Sequence, residues 1–375
     1  MKTCASRTVP CDLRGCDRGH QKSSPTTQAQ RAAVDVGTGA HLQYPYVDGD
    51  LRPLGIHVAQ AVGMEATSAV EIIRGAQTAE DPQALHMSLA ILQASRLVPT
   101  TPESAAPIDA ARVALETRYL ADERASVAWA ASRAPRDAEA FCQWFDALEQ
   151  NGPGQGDALF DWLANDADIG EMRWFLQQEL AGEAGFDDLV ALTQVRIPRR
   201  AKLELARNYW DEMGAGHAEG MHGPMLEVLS REMHLLRLPN SEVVWESLAL
   251  ANTLAGLASR REYTYQSIGA LGAVERTAPG RAQKVVIGLR RLGIRGVARR
   301  YYALHSVLDV KHADRWRDEV LFPLVHEHPE LAPHLAEGAL MRLEAGRRCF
   351  VRYRSELGVP TADLRRRDAP VHAAK

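Results

Sequence analysis

From about residue 105 to residue 360, almost every segment of this chain sets its apolar residues at helical spacing, and strand signals are nearly absent. That pattern restricts the chain to an all-α architecture. A long amphipathic stretch runs from Ala106 to Ser132 and is followed by AEAFCQWFDALEQ, DALFDWLAND, EMRWFLQQELAGEAGFDDLVALTQV and AKLELARNYWDEMG. Pro135, the NGPGQG loop at 151–156, Pro198, Pro239-Asn240-Ser241, Pro279-Gly280 and Pro329 with Pro333 punctuate the pattern and predict helix ends. Asn240 or Ser241 is the expected N-cap of the next helix, because its side-chain oxygen can accept from a first-turn amide. No repeat of fixed period is present, which argues against a solenoid. The expected organisation is a disordered tail at 1–40, an N-terminal helical extension at 41–104, a larger helical domain at 105–360 and a C-terminal tail at 361–375.

With 375 residues, 46% of them hydrophobic, the chain can build a substantial core. A net charge of −4 gives no overall attraction to nucleic acid or an anionic membrane, and the Arg290–Arg300 stretch reads as a solvated basic helix face. No apolar run approaches the roughly 20 residues needed to cross a bilayer, so a soluble protein is expected. Cys4, Cys11, Cys16, Cys142 and Cys349 are scattered and no secretory apolar segment precedes them, which predicts reduced thiols and a cytoplasmic location. The first three, with His20, lack the close C-x2-C pair of a zinc site.

Within YYALHSVLDVKHADRW, His305, Asp309 and His312 form an H-x3-D-x2-H run. On a helix advancing about 100° per residue, these positions share one face. Two imidazoles and a carboxylate suit iron, zinc or manganese, although a solvated face would carry the same residues. A metal would need inward ligands from other helices. Glu212 and Glu219 are seven apart in NYWDEMGAGHAEGMHGPML, and His222 follows Glu219 at the E-x2-H spacing. Gly214, Gly216, Gly220 and Gly223 are costly in a helix interior at about 1 kcal/mol each, so close backbone approach, local unwinding that brings His222 beside Glu212, or a helix end near Gly214 is expected. Glu275 stands alone among small apolar residues in SIGALGAVERTAPG. Glu212, Glu219, Glu275 and Asp309 together carry the charge that would balance two divalent ions. His217 falls off the stripe, and His326, His328 and His334 sit in a helix-end context that predicts exposure.

These residues together resemble the heme-oxygenase-like di-iron oxidases, also described as iron-containing redox enzymes. The resemblance covers roughly residues 105–360 and implies a heme-oxygenase-like helical bundle, here with an N-terminal helical extension. It implies ligands from three core helices: Glu212 and His222 on the first, Glu275 on the second, and His305, Asp309 and His312 on the third. Glu219 occupies the place of an additional carboxylate that the resemblance associates with N-oxygenases. The implied cofactors are two Fe(II)/Fe(III) ions, or an iron–manganese pair, with O2 as co-substrate. The implied activity is that of a non-heme di-iron oxygenase acting on a small amine or amino acid, by N-oxygenation in a specialised natural-product pathway. Oxidative C–C cleavage, desaturation or decarboxylation of an amino or fatty acid is the alternative on the same ligands. Expected partners are the small-molecule substrate, an external electron donor and a second copy of the chain in a homodimer.

Glu179 and Glu183 are candidate substrate-amine partners or outer acids, and Tyr209, Trp210, Tyr301, Tyr302 and Trp316 candidate pocket walls, with core packing the competing role. Two further readings remain: a cofactor-free heme-oxygenase-like binding protein, and a helical scaffold whose acids lie on solvated faces. Burial of Glu275 and Asp309 separates the scaffold from the rest, since uncompensated buried carboxylates cost several kcal/mol, of the order of those for other buried ions.

Overall fold

The computed structural model describes residues 81–97, 102–182, 185–236 and 238–360. All of them fall in one compact unit that begins at Leu42. The expected N-terminal tail, the C-terminal tail and most of the extension lie outside the described residues. Among the described residues the regular elements are helices, and the single strand-like feature is an isolated antiparallel bridge between Met213 and Met221.

In chain order the helices are α1 (Pro82–Leu97), α2 (Pro102–Ser132), α3 (Ala138–Asn151), α4 (Ala158–Asn165), α5 (Ile169–Gly182), α6 (Phe186–Thr193) and α7 (Arg199–Glu212). They continue with α8 (His222–Met233), α9 (Trp245–Ser259), α10 (Thr264–Arg291), α11 (Arg300–Arg315), α12 (Phe322–Glu327) and α13 (Ala332–Leu357). Several boundaries have local causes. Asp137 caps α3 by accepting from the amide of Ala140, and Asp157 caps α4 by accepting from that of Leu159. α7 begins directly after Pro198.

α10 is the central element, packed against α11, α13 and α4. Near its start it crosses α13 backbone to backbone. A methyl group on Gly269 would lie 1.9 Å from the Leu335 carbonyl oxygen, and one on Gly338 would lie 1.7 Å from that of Gln266. Only glycine fits that crossing. One apolar core, with Phe141, Phe145, Trp316 and Leu335, gathers around Ile268–Ala273 of α10. A second, with Phe160, Phe175, Phe350 and Tyr353, gathers around Val285 and Leu289. Glu275 lies on α10 between the two.

α1, within the expected extension, docks on α9. Gln93 Nε2 donates to the Asn252 carbonyl at 3.1 Å, and Asn252 Nδ2 donates to the His86 carbonyl at 2.9 Å.

Two expected helix boundaries are corrected. α10 does not end at Pro279-Gly280 but runs through Pro279 to Arg291. Proline has no N–H to return to the Glu275 carbonyl four residues back, and packing on both sides of α10 outweighs that local loss. α9 starts at Trp245 with Val244 in the capping position, not at Asn240 or Ser241. Residues 239–242 form a turn instead, closed by Glu242 N–H to the Pro239 carbonyl at 2.8 Å, and the Val244 amide is satisfied by Gln178 Oε1 at 2.9 Å. Among the described residues no helix is long and apolar enough to cross a membrane.

Candidate metal centre

α7 is amphipathic in an unusual sense, because its buried face carries Glu204, Asn208 and Glu212 four residues apart beside Ala201 and Leu205. Basic residues occupy the outer face. The inward stripe meets α10 and α11, and Asn208 Nδ2 donates to Glu275 Oε1 at 2.6 Å. Glu212 and Glu275 are each 2% exposed, Asp309 3% and His312 2%, so three carboxylates and an imidazole are shut away from water together.

His222 reaches this cluster by a fold-back. After α7 ends at Glu212, Gly214, Ala215 and Gly216 adopt positive φ values of 62°, 51° and 86°. Glycine takes that left-handed conformation without penalty. The chain reverses, Met213 bridges Met221, and a methyl group on Gly214 would lie 2.4 Å from the Gly220 carbonyl carbon. Trp210 covers Gly216. His222, the first residue of α8, is thereby placed with Nδ1 against Glu212 Oε2.

The expectation that Glu212, Glu219 and His222 share one helix is therefore corrected. Helix geometry stops at Glu212, and Glu219 sits exposed in a short 3₁₀ turn, Ala218–Gly220. The fold-back brings Glu212 and His222 together and leaves Glu219 outside. It also leaves His217 exposed.

On α11, His305 Nδ1 lies 3.0 and 3.1 Å from the two Asp309 oxygens. His312 Nδ1 lies 3.4 Å from Glu275 Oε2, and its Nε2 lies 3.2 Å from Asp211 Oδ2. The His222 and His305 rings are 4.5 Å apart, and the Tyr301 ring stands 4.4 Å from His305 and 5.8 Å from His222.

Burial dominates the electrostatics. It raises the Glu212 carboxyl to about 8, with the Asp309 charge adding to the effect and the neighbouring histidines opposing it. Glu275 is raised for the same reason, against its contact with His312. Burial, then the charge of His305, lowers His222 to about 3. At His305 burial acts downward as well, but the charge and hydrogen bond of Asp309 outweigh it and hold the group at about 9. At His312 the contact with Glu275 does the same, also to about 9.

The donor set fits a metal. His222 Nε2, His305 Nε2 and His312 Nδ1 are buried without a hydrogen-bond partner, and so is Asn208 Oδ1. Buried polar groups in folded proteins are ordinarily satisfied, and three unsatisfied imidazole nitrogens among carboxylates have the chemistry of ligand atoms. Ligand atoms of Glu212, Glu275 and His312 all lie within 4.8 Å of one another.

Of the other sequence candidates, Glu183 lies outside the described residues. Glu179, half-buried on α5, accepts a hydrogen bond from Tyr353 and acts electrostatically on Arg281. Tyr209 packs against the first core and Tyr302 against the second. Trp316 is a core residue whose indole N–H donates to the Ile268 carbonyl at 3.2 Å. His326 and His328 are exposed, as their helix-end context predicts. Cys142 and Cys349 are buried free thiols.

Sequence reasoning missed Asn208, Asp211 and Asp187. The last acts electrostatically on Glu212 and His222 from the first turn of α6. A signal for Asn208 was present in the Glu204, Asn208, Glu212 spacing, since one amphipathic face rarely carries three polar residues without use.

Residues 173–347 match the model of the family described as iron-containing redox enzyme, and every side chain of the cluster lies inside that span. Over those residues the chain has the all-α, heme-oxygenase-like class expected from its sequence. Among solved structures it is similar to a CADD-like protein of unknown function from Nostoc punctiforme, at 17% identity and a TM-score of 0.47, over 57% of this chain and 95% of that one. No curated protein matches.

Proposed function

We propose that the cluster holds two iron ions and that the protein is a non-heme, O2-activating oxidoreductase acting on a small amine, amino acid or fatty acid. The observation that carries this reading is the set of three unsatisfied, buried imidazole nitrogens facing three buried carboxylates. Glu212, Glu275 and His312 would hold one ion, and His222, His305 and Asp309 the other. Bound iron would supply the O2 chemistry. The chain's own part is to exclude water and to fix the ligands. Asn208 holds Glu275 through its amide, and Asp211 faces His312 on the side away from Glu275, the arrangement that orients a metal-bound imidazole.

Charge supports two ions. Glu212, Glu275, Asp309 and Asp211 carry four negative charges, matching two divalent cations without Glu219. Burial of Glu275 and Asp309 disfavours the scaffold reading. A cofactor-free binding protein offers no partner for the three nitrogens.

The two chemistries differ over Glu219. N-oxygenation, as the resemblance implies it, engages Glu219, which is exposed in this conformation. C–H or C–C oxidation needs only the six residues already assembled, and that arrangement favours it as the second reading. Anaerobic Fe(II) loading is expected to give close to two irons per chain, followed by a transient visible absorption on O2 addition. Absence of iron in the loaded wild type, or full occupancy in His312→Ala, overturns the proposal. Product analysis with wild type and Glu219→Ala on matched amines and acids separates the two chemistries.

A further inference from the structure

Residues 290–300 carry five arginines and no acid, and no acidic residue occurs between Glu275 and Asp309. They do not form the basic helix face expected from the sequence. α10 ends at Arg291, and tight turns link it to α11, closed by Gly293 N–H to the Arg290 carbonyl at 3.0 Å and Arg299 N–H to the Arg295 carbonyl at 3.2 Å. Ala298 is fully buried, and Leu292 and Ile294 pack on the second core, so the arginines stand on an ordered platform. The fold uses two of them. Arg291 donates to the Ala164 carbonyl at 3.0 Å, and Arg295 pairs with Glu232 at 2.9 Å. Arg290, Arg299 and Arg300 make no ion pair among the described residues.

Arg290, in the last turn of α10, suits the negative end of that helix dipole. Arg299 and Arg300 do not suit theirs. They are the cap and first residue of α11, where the dipole is positive and no acid stands in the first turn, so the helix gains nothing from their charge. Arg300, Ala303, Val307 and Val310 then follow at three- and four-residue spacing, and all four are exposed, as is Val297 in the preceding turn. The outer side of α11 is therefore an apolar strip with a basic end, while its inner side carries Asp309 and His312. Apolar surface with a charged border is the make-up of a protein docking face, and the sign of the charge selects an acidic partner. A net charge of −4 on the whole chain sets this face apart from a general affinity for polyanions.

The same face lies close to the candidate ligands. A helix with its side chains is about 10–12 Å across, so a body seated on the outer side of α11 is roughly one helix diameter from the inner side. At the basic end the path is shorter still. Tyr301 follows Arg300, and its ring centre is 4.4 Å from that of His305 and 5.8 Å from that of His222.

We propose that the outer face of α11, with Arg290, Arg299 and Arg300 at its basic end, docks an acidic one-electron carrier protein that reduces the iron centre. The electron transfer rests on the function proposed above; the docking face itself does not. Oxygenation, RH + O2 + 2e− + 2H+ → ROH + H2O, takes two electrons from outside. Each docking event oxidises one carrier by one electron and reduces one iron from ferric to ferrous, so two events reset the pair and no atom is transferred. Such complexes are small and short-lived, and charge sets their rate of encounter.

The test uses a plant-type [2Fe–2S] ferredoxin as the probe and the full-length, anaerobically iron-loaded protein. Calorimetry in about 20 mM salt is expected to show micromolar binding that weakens about tenfold or more by about 200 mM. The double variant Arg299→Glu with Arg300→Glu should weaken binding about tenfold or more, and Val307→Glu should weaken it as well. Iron content should equal wild type in both, and the double variant should melt no lower than wild type, since acids suit a helix N-terminus. Re-reduction of the oxidised protein by reduced ferredoxin should slow about tenfold in the double variant, while re-reduction by dithionite stays unchanged. No ferredoxin binding by wild type in low salt, or unchanged affinity in the double variant, overturns the proposal. So does binding of duplex DNA or phosphatidylglycerol vesicles as tightly as ferredoxin, or a wild-type dimer that the double variant splits, which would assign the face to a second copy of the chain. Should the double variant fail to fold, Arg299→Gln with Arg300→Gln carries the same comparison. Charge-dependent ferredoxin binding by a protein that takes up no iron removes the oxidoreductase reading and leaves the docking face. Iron uptake without ferredoxin binding removes the docking face alone.

Discussion

Asp211 and Asn208 touch the candidate ligands without belonging to them, and their roles can be separated by substitution. Asp211 faces His312 Nε2, so Asp211→Asn should leave the fold intact and weaken iron binding by about 10- to 100-fold, the usual effect of removing a ligand's supporting partner. Titration with Fe(II) under anaerobic conditions checks it. Glu219→Ala should leave iron content at the wild-type level because the side chain is exposed and outside the cluster, whereas Glu275→Gln should lose iron. The protonation pattern adds a sign. Before metal arrives Glu212, at about 8, and His305 and His312, each at about 9, hold protons at pH 7. Those protons must leave as metal binds, so affinity should rise as pH rises from 6 to 9 and loading at pH 7 should release protons into weak buffer. An affinity that falls over that interval contradicts the assignment. The residues that sequence reasoning found are those set at regular helical spacing. Asp211 escaped because an acid on a helix turns inward or outward according to the neighbouring helix, which the local string does not contain, whereas Asn208 was marked by its spacing with Glu204 and Glu212.

The fold-back between α7 and α8 is the element on which His222 depends. Gly214 combines a positive φ of 62° with contact against the Gly220 carbonyl carbon, so Gly214→Ala meets both a strained backbone and a clash. Left-handed strain at a non-glycine residue costs roughly 1–3 kcal/mol. The variant should melt below wild type and bind less iron, because His222 is displaced from Glu212; unchanged values for both would show that the turn is not what positions His222. The glycine cluster flagged this region in the sequence, and local unwinding was among the expected causes. What stayed hidden was the consequence for Glu219, since three successive left-handed residues break the helical count that placed it beside Glu212. Pro279 misled in the opposite direction. Its local cost is real, but α10 packs against α11, α13 and α4, and those contacts carry the helix through it.

Across the whole molecule the helical class was legible because amphipathic periodicity is a local property repeated along the chain. The placing of the site between two cores was not, because it depends on which helix faces which. α10 is anchored in both cores, yet α11 is held differently. The buried residues of α11 are Asp309, His312 and Ala313, while Val307 and Val310 on its outer side are 62% and 47% exposed. Its fully buried positions therefore carry two polar groups and one alanine, while its apolar side chains, such as Tyr302 at the edge of the second core, are only half-buried, so hydrophobic burial docks it less firmly than α10. Without metal, that same contact holds only buried acid–imidazole pairs such as His312 with Glu275, whose desolvation offsets much of their attraction. α11 should then be the least protected helix around the site, opening locally while the two cores stay closed. Iron binding to the closed form stabilises it by mass action, about 2.7 kcal/mol when free metal is a hundredfold above its dissociation constant. Amide exchange across residues 300–316 should accordingly slow on anaerobic Fe(II) addition, with smaller changes in α3 and α13, and the melting temperature should rise. If exchange in 300–316 is already as slow as in α13 before metal is added, α11 is secured by something other than the ligands it carries.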